Sequence, residues 1–297
     1  MDPTHLPRNP AISRHNGSSS RASSLDASST TTVEKAVSKK SCVVFASWLP
    51  KRSLKLGQFY LDLLAKYHRD SDIYLGINYG SAPEWVDVVW RSDLNIRFGL
   101  VSRDRHINSD VAGYIEAVSQ LKASGKNYDV IWFAHTKGAS YKNFAASQSV
   151  REHFEKNFWS QRAAVEKIFR DHPHIGLVGN ELLVNKYEDH NTASARLTEF
   201  YPFKYQSIGY FVVGSFYAMR GQVVHEFIDR CHPDFFRKNI ETDLRFHRWF
   251  FESGFHCISD RLGYEPYWLN TAQDKFVTEL ERWRKDREHH KPTAYDW

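Results

Sequence analysis

Tyr128-Asp-Val-Ile-Trp-Phe-Ala-His-Thr-Lys-Gly-Ala-Ser140 decides the fold. Val130 to Ala134 form an unbroken apolar run, which then changes abruptly to His135, Thr136, Lys137 and Gly138. A continuous apolar strand is buried on both faces, as in the centre of a parallel α/β sheet. Ligands of such sheets bind beyond the carboxyl ends of the strands. A cation, a hydroxyl and a glycine at that edge offer a phosphate charge, hydrogen bonding and close backbone approach. The competing reading is a strand running into an ordinary polar turn.

Upstream, Cys42-Val-Val-Phe-Ala-Ser47 reads as a first buried strand, closed by Pro50. Leu56, Phe59, Tyr60, Leu63 and Leu64 then fall on one face at helical spacing. Asp72 to Asn78 is a second strand, Gly80 to Pro83 a turn, and Asn95 to Val101 a third strand. Val111, Tyr114, Ile115, Val118 and Leu121 form a helical stripe that Gly125 ends. Strands alternating with helices predict a mainly parallel sheet covered on both faces. Right-handed crossovers gather the strand ends along one edge.

Downstream, Val150 to Phe169 reads as one long amphipathic helix with Ser147 or Ser149 as N-cap. His174 to Gly179 is a strand, residues 185 to 207 show no period, and Tyr210 to Met219 is a strand pair or a bulged strand. Helices follow at Val223 to Ile228 and at Glu241 to Phe251. The expected organisation is a Ser/Thr-rich disordered tail over residues 1–38, a single domain over 39–275, and a charged C-terminal helix or tail over 276–297.

The 297 residues include 9 Trp, 15 Tyr and 20 Phe, enough for a large core. A net charge of +5 with no basic helix argues against nucleic acid as a partner. Cys42, Cys231 and Cys257 are odd in number and far apart, which indicates reduced thiols and a cytoplasmic setting rather than a disulfide framework or zinc knuckle. No apolar run approaches the roughly 18 residues of a membrane span, so an integral membrane segment is not expected. Walker loops, nucleophile elbows and dinucleotide glycine fingerprints are missing, which counts against kinase, hydrolase and dehydrogenase readings.

The wider pattern resembles the rhamnan synthesis protein F family, sugar transferases of polysaccharide assembly. The resemblance rests on Asn108-Ser-Asp-Val111, a helix, Tyr128-Asp129, His135-Thr-Lys-Gly138, Ile175-Gly-Leu-Val-Gly179 and Gly214-Ser-Phe-Tyr-Ala-Met-Arg220, and spans residues 42 to 260 in order. The chain departs from the family's pattern at Ser109 and Tyr217. The resemblance implies a GT-A-like fold and a nucleotide-sugar donor; the expected acceptor is a glycan hydroxyl and the expected location cytoplasmic, with the cytoplasmic membrane face as an option. It also places His135-Thr-Lys137 where such enzymes commonly carry a metal-binding Asp-x-Asp. Asp70-Ser-Asp72 precedes its strand, lies at the wrong end of the sheet, and reads as a turn.

Two chemistries follow. Lys137 replaces metal charge against the departing diphosphate, or His135 ligates a divalent cation (Mn or Mg) together with Asp110 or another carboxylate supplied by the fold. Asn108 and Asp110 are donor contacts or, for Asp110, an N-cap; Arg105 is a phosphate contact or an exposed cation. Glu241 and Asp243 are candidate bases for an inverting transfer, or charges that complement a helix dipole. Gly214 and Ser215 are acceptor-side or packing residues. Asp189 and His190 are weaker candidates. The alternative to an enzyme is a catalytically silent nucleotide- or carbohydrate-binding module on the same fold.

Overall fold

A computed structural model describes residues 40–102, 110–180, 182–184, 210–212, 215–237 and 250–270, with single helical positions beyond. Its centre is a seven-stranded sheet. The first half runs β1 (Ser41–Ser47), α1 (Leu54–Tyr67), β2 (Asp72–Ile77), α2 (Pro83–Trp90), β3 (Ile96–Leu100), α3 (Asp110–Ser124) and β4 (Val130–His135). The second half runs α4 (Gln148–Asn157), α5 (Arg162–Asp171), β5 (Ile175–Gly179), β6 (Leu182–Val184), β7 (Tyr210–Val212), β8 (Tyr217–Arg220), α6 (Gly221–Arg230), α7 (Asp234–Arg237), α8 (Phe250–Arg261) and β9 (Glu265–Trp268).

The strand order is β3-β2-β1-β4-β8-β5-β9. All neighbours are parallel except β8, which is antiparallel to both β4 and β5. The register pairs Ser47 with Ile77 and Ala46 with His135, so the parallel strands end on one rim. Because β8 runs the other way, it starts on that same rim, opposite Phe133 and Gly179. The chain moves outward from β1 to β3 and then returns to the far side of β1 for β4. That reversal is the switch point at which open α/β sheets hold their ligands.

Strand alternation builds two cores. Cys42, Val44, Ala46, Ile131 and Phe133 face α3, α6 and α8, while Val43, Phe45, Val130, Trp132 and Ala134 face α1, α4 and α5. Two glycines bring α3 close to the sheet. A Cβ on Gly76 would lie 1.8 Å from the Gly113 carbonyl oxygen, and one on Gly113 would lie 3.0 Å from the Ala46 Cβ. The first turn of α3 therefore rests directly over β1 and β2.

Three expectations need correction. The long helix over Val150–Phe169 is broken into α4, a 3₁₀ turn (Trp159–Gln161) and α5. Phe158 and Trp159 are consecutive and both fully buried, which one helix stripe cannot provide, so the axis turns between them. Ser147 is the residue before α4, but its hydroxyl donates back to the Phe144 carbonyl (2.8 Å) instead of capping. The Tyr210–Met219 strand pair divides: β7 pairs with β6 in a separate two-stranded sheet, while β8 joins the main one.

Candidate functional site

The switch point lies where β1 and β4 part. Thr136 stitches the two exits together. Its N–H donates to the Ala46 carbonyl (3.1 Å), its hydroxyl oxygen accepts from the Trp48 N–H (3.0 Å), and the same hydroxyl faces the Trp48 carbonyl at 3.3 Å. Thr136 is buried, so this hydroxyl holds backbone to backbone.

The turn beyond it is fixed by its carbonyls. Tyr60 of α1 donates its hydroxyl to the Lys137 carbonyl (3.0 Å), and Ser53 donates to that of Ala139 (3.0 Å). Burial raises the Tyr60 pKa, so the phenol stays a donor; the Asp110 charge adds to the rise and Arg151 opposes it. Gly138 has φ +97°, a left-handed conformation that favours glycine, and a Cβ there would stand 3.0 Å from the Ser147 Cβ. Two of the turn's donors are left over, although the Lys137 and Ala139 N–H groups donate to the His135 (2.8 Å) and Thr136 (3.3 Å) carbonyls. Among the described residues neither the Gly138 N–H nor the half-buried Lys137 ammonium has a hydrogen-bond or ion-pair partner.

A second cation stands nearby. Arg151, one turn into α4, lies over the Phe144 ring (3.5 Å to its centroid) and the Phe59 ring (5.0 Å), and donates to Ser147 Oγ and the Phe144 carbonyl. No carboxylate pairs with it among the described residues. Sequence reasoning missed Arg151, because its helix begins ten residues after the turn and only the fold folds that helix back against Gly138.

On the α3 side the strand alternation continues to His135, which is 4% exposed. The close packing of α3 brings Asp110, in its first turn, to the imidazole: Asp110 Oδ2 is 2.7 Å from His135 Nδ1. The distance is that of an ion pair, yet the carboxylate lies off the N–H direction, so neither ring nitrogen makes an aligned hydrogen bond. Tyr114 and Phe216 flank the ring at 6.2 Å and 5.3 Å. His135 and Asp110 together offer two ligands to a cation. No group of three His, Cys, Asp or Glu residues assembles among the described residues.

Ser215 also lies at this rim, just before β8. It is buried, takes a left-handed φ of 55°, and its carbonyl accepts from the Tyr114 hydroxyl (3.2 Å). Asp110, His135, Thr136, Lys137, Gly138 and Ser215 thus share one rim. Asn108, Arg103, Arg105, Asp189, His190, Gly214, Glu241 and Asp243 lie outside the described residues.

The opposite rim is structural. Asp70 is ion-paired with Arg162, which also donates to the Tyr67 carbonyl (2.7 Å) and pairs with Glu166 (2.7 Å). Asp72 pairs with Lys126 (2.7 Å) and accepts from Tyr128 and Asn95. Asp70-Ser-Asp72 is therefore more than the solvated turn expected, since each carboxylate anchors a crossover. Arg220, the last residue of the resemblance's final segment, donates to the carbonyls of Phe169, His172 and Ile175, tying the end of α5 to the sheet.

No family model matches this chain, and no curated protein matches it. Similar solved structures are enzymes of nucleotide chemistry by their names. 4-diphosphocytidyl-2C-methyl-D-erythritol synthase from Anaerococcus prevotii is 10% identical, with a TM-score of 0.39 over 83% of this chain and 96% of its own. CMP:2-keto-3-deoxy-manno-octonic acid synthetase complexed with CTP is 9% identical, with a TM-score of 0.35 over 84% and 99%. 2-C-methyl-D-erythritol 4-phosphate cytidylyltransferase from Thermus thermophilus is 11% identical, with a TM-score of 0.30 over 81% and 98%.

Proposed function

We propose that this chain is a glycosyltransferase that takes a sugar from a nucleotide donor and passes it to a glycan hydroxyl, with the donor's diphosphate seated on the Thr136–Gly138 turn. The observation that carries the reading is two donors at the switch point with no partner among the described residues, the Lys137 ammonium and the Gly138 N–H. Breaking the sugar–phosphate bond leaves an extra negative charge on the diphosphate, and fixed donors aimed at that charge lower the barrier. Lys137 neutralises it, the Gly138 N–H bonds an oxygen, and Arg151 adds a second positive charge to the same wall. Asp110 stands at the N-terminus of α3, beside the imidazole of His135, where a ribose hydroxyl can donate to it.

The donor set bears on the metal. Among the described residues His135 and Asp110 supply two ligands, where hard divalent ions take about six oxygen-rich ones. In this reading the cationic side chains carry the charge, and the cation is not needed to hold the diphosphate. Glu241 and Asp243 remain the proposed acceptor-side bases, with inversion as the outcome, on the sequence and its family resemblance alone. The same resemblance suggests a growing polysaccharide as acceptor.

The test is a calorimetric panel of nucleoside diphosphates with manganese and with EDTA, followed by donor hydrolysis assays. One nucleoside diphosphate should bind in EDTA, and its sugar ester should slowly release that diphosphate. Failure of every nucleotide to bind refutes the reading. Binding with no release on any donor or acceptor leaves the silent module in its place.

A further inference from the structure

The two most exposed large hydrophobic residues among those described flank a single strand. Trp90 is 77% exposed at the end of α2, and Leu100 is 59% exposed at the end of β3. Trp90 meets Phe98 of β3 edge-on, with ring centroids 6.2 Å apart. β3 is the terminal strand of the sheet and pairs only with β2 among the described residues. It carries no proline and its register with β2 is unbroken, so two of the usual devices that blunt an edge are missing.

The hydrogen-bond phase of that edge is fixed. The Ile73 N–H donates to the Asn95 carbonyl (2.9 Å), and the Val101 N–H donates to the Ile77 carbonyl (2.9 Å). Odd-numbered residues of β3 therefore turn their peptide groups towards β2. Ile96, Phe98 and Leu100 turn theirs outward, and of these only the Ile96 N–H has a protein acceptor, the Leu94 carbonyl (2.8 Å).

We propose that β3 is the contact strand of an isologous dimer, in which two copies of this chain join edge to edge, antiparallel, with Phe98 on the two-fold axis. In that register the outward peptide groups find counterparts: Phe98 exchanges bonds with Phe98 of the partner subunit, and Ile96 with Leu100 of the partner subunit, the Ile96 N–H leaving the Leu94 carbonyl to do so. These residues share one face of the sheet, so Phe98, Leu100 and Trp90 of both copies come together on the α2 side.

Charge selects the same register from the other face. Arg97 is exposed and has no ion pair among the described residues; its nearest attraction is the longer-range one to Asp72. Gly99, the next residue on that face, has no side chain, and Glu116 of α3, whose Oε1 already accepts from Gln120 (2.9 Å), fills the space above it, with Oε1 2.0 Å from where a Cβ would stand. In the Phe98-centred pairing Arg97 stands directly opposite Gly99 of the partner subunit, in a non-hydrogen-bonded pair whose Cα atoms approach to about 4.5 Å. The guanidinium then reaches Glu116 of the partner subunit, twice by symmetry. Opposite charges directly across a strand pair favour it, and like charges oppose it.

The test is sedimentation velocity of the full chain over a dilution series, for the native protein, Arg97→Glu, Glu116→Arg and an equimolar mixture of the two variants. The native chain should dimerise reversibly. Each variant alone faces like charges in both symmetric pairs and should dissociate about tenfold more readily. The mixture restores both pairs and should form a heterodimer of near-native strength. Leu100→Lys, at an exposed site, should weaken the dimer in the same way and covers the case in which Glu116→Arg disturbs the packing over Gly99. A native chain that is monomeric at every concentration overturns the proposal. So does a dimer indifferent to Arg97→Glu and Leu100→Lys. A monomer whose Phe98 and Leu100 amides resist exchange overturns it too, because another part of the chain would then cover the edge.

Discussion

Replacing Lys137 by Met removes one ammonium and keeps the stem. In the unliganded protein that ammonium bonds to nothing among the described residues, so the fold loses no interaction and stability should stay within about 0.5 kcal/mol. In the diphosphate complex the loss is one charge-assisted hydrogen bond, worth about 1.5–3 kcal/mol. That corresponds to a roughly 10- to 150-fold rise in Kd. The Gly138 N–H and Arg151 remain, so binding should weaken without vanishing. Calorimetry on native protein, Lys137→Met and Lys137→Arg, with the preferred nucleoside diphosphate and its parent nucleoside, separates the contributions. The nucleoside should bind all three alike, and Arg should recover most of the diphosphate affinity. Equal diphosphate affinities in native protein and Lys137→Met would remove the ammonium from the site and, with it, the argument from unsatisfied donors.

Thr136→Val keeps the shape but strands the Trp48 N–H, so chemical denaturation should show a loss of about 2 kcal/mol, with diphosphate affinity lowered only through the displaced turn. Gly76→Ala forces a methyl to 1.8 Å from the Gly113 carbonyl; because backbone cannot swing aside, the variant should lose at least about 3 kcal/mol or fail to accumulate folded. His68 is wholly buried between Trp132 and Trp159, and burial pulls its pKa down to about 3. Its folded pKa lies below the unfolded value near 6.5, so the unfolded chain takes up the proton first; stability is held above about pH 6.5 and lost as pH falls towards 3. From pH 7 to pH 5 this residue alone should cost about 2 kcal/mol in urea titrations, and His68→Leu should flatten that difference.

The parallel half of the sheet was legible because β1 and β4 advertise themselves. Cys42–Ser47 and Val130–Ala134 are continuous apolar runs, which only a doubly covered strand can use, and the alternation with helical stripes implies parallel pairing. What escaped was set by non-local geometry. β8 is four residues long and reads like any apolar segment; its reversed direction follows from where the Ser215 turn delivers it, beside His135. The break at Phe158–Trp159 escaped because period counting rewards apolar residues at both ends and ignores that adjacent ones cannot share a stripe. In the site, His135 to Gly138 were visible because the composition changes at the strand's end. Trp48 carries no such change, since Leu49 follows it, and it enters the rim through its backbone. Tyr60, Ser53 and Arg151 carry no such mark, since each sits within a helix or its entry and becomes part of the rim only when α1 and α4 pack.

The turn's asymmetry gives a last prediction. The carbonyls of Lys137 and Ala139 are held by Tyr60 and Ser53 and the turn's entry by Thr136, while the Gly138 N–H and the Lys137 ammonium have no partner among the described residues. Rigid support beneath free donors is preorganisation: the cost of ordering the site is met in folding, and more of the contact energy appears as affinity. Tyr60→Phe removes the support without touching any donor. It should cost about 1 kcal/mol in stability, the net worth of one hydrogen bond. It should also raise the diphosphate Kd by roughly fivefold, because the turn must now be ordered on binding. A double-mutant cycle with Lys137→Met isolates the mechanism. If Tyr60 acts by aiming the ammonium, its effect on affinity should largely disappear once the ammonium is gone, giving a coupling of about 0.5 kcal/mol or more. Strictly additive losses would mean that the phenol merely stabilises the fold, and that the donors find the phosphate without help from beneath.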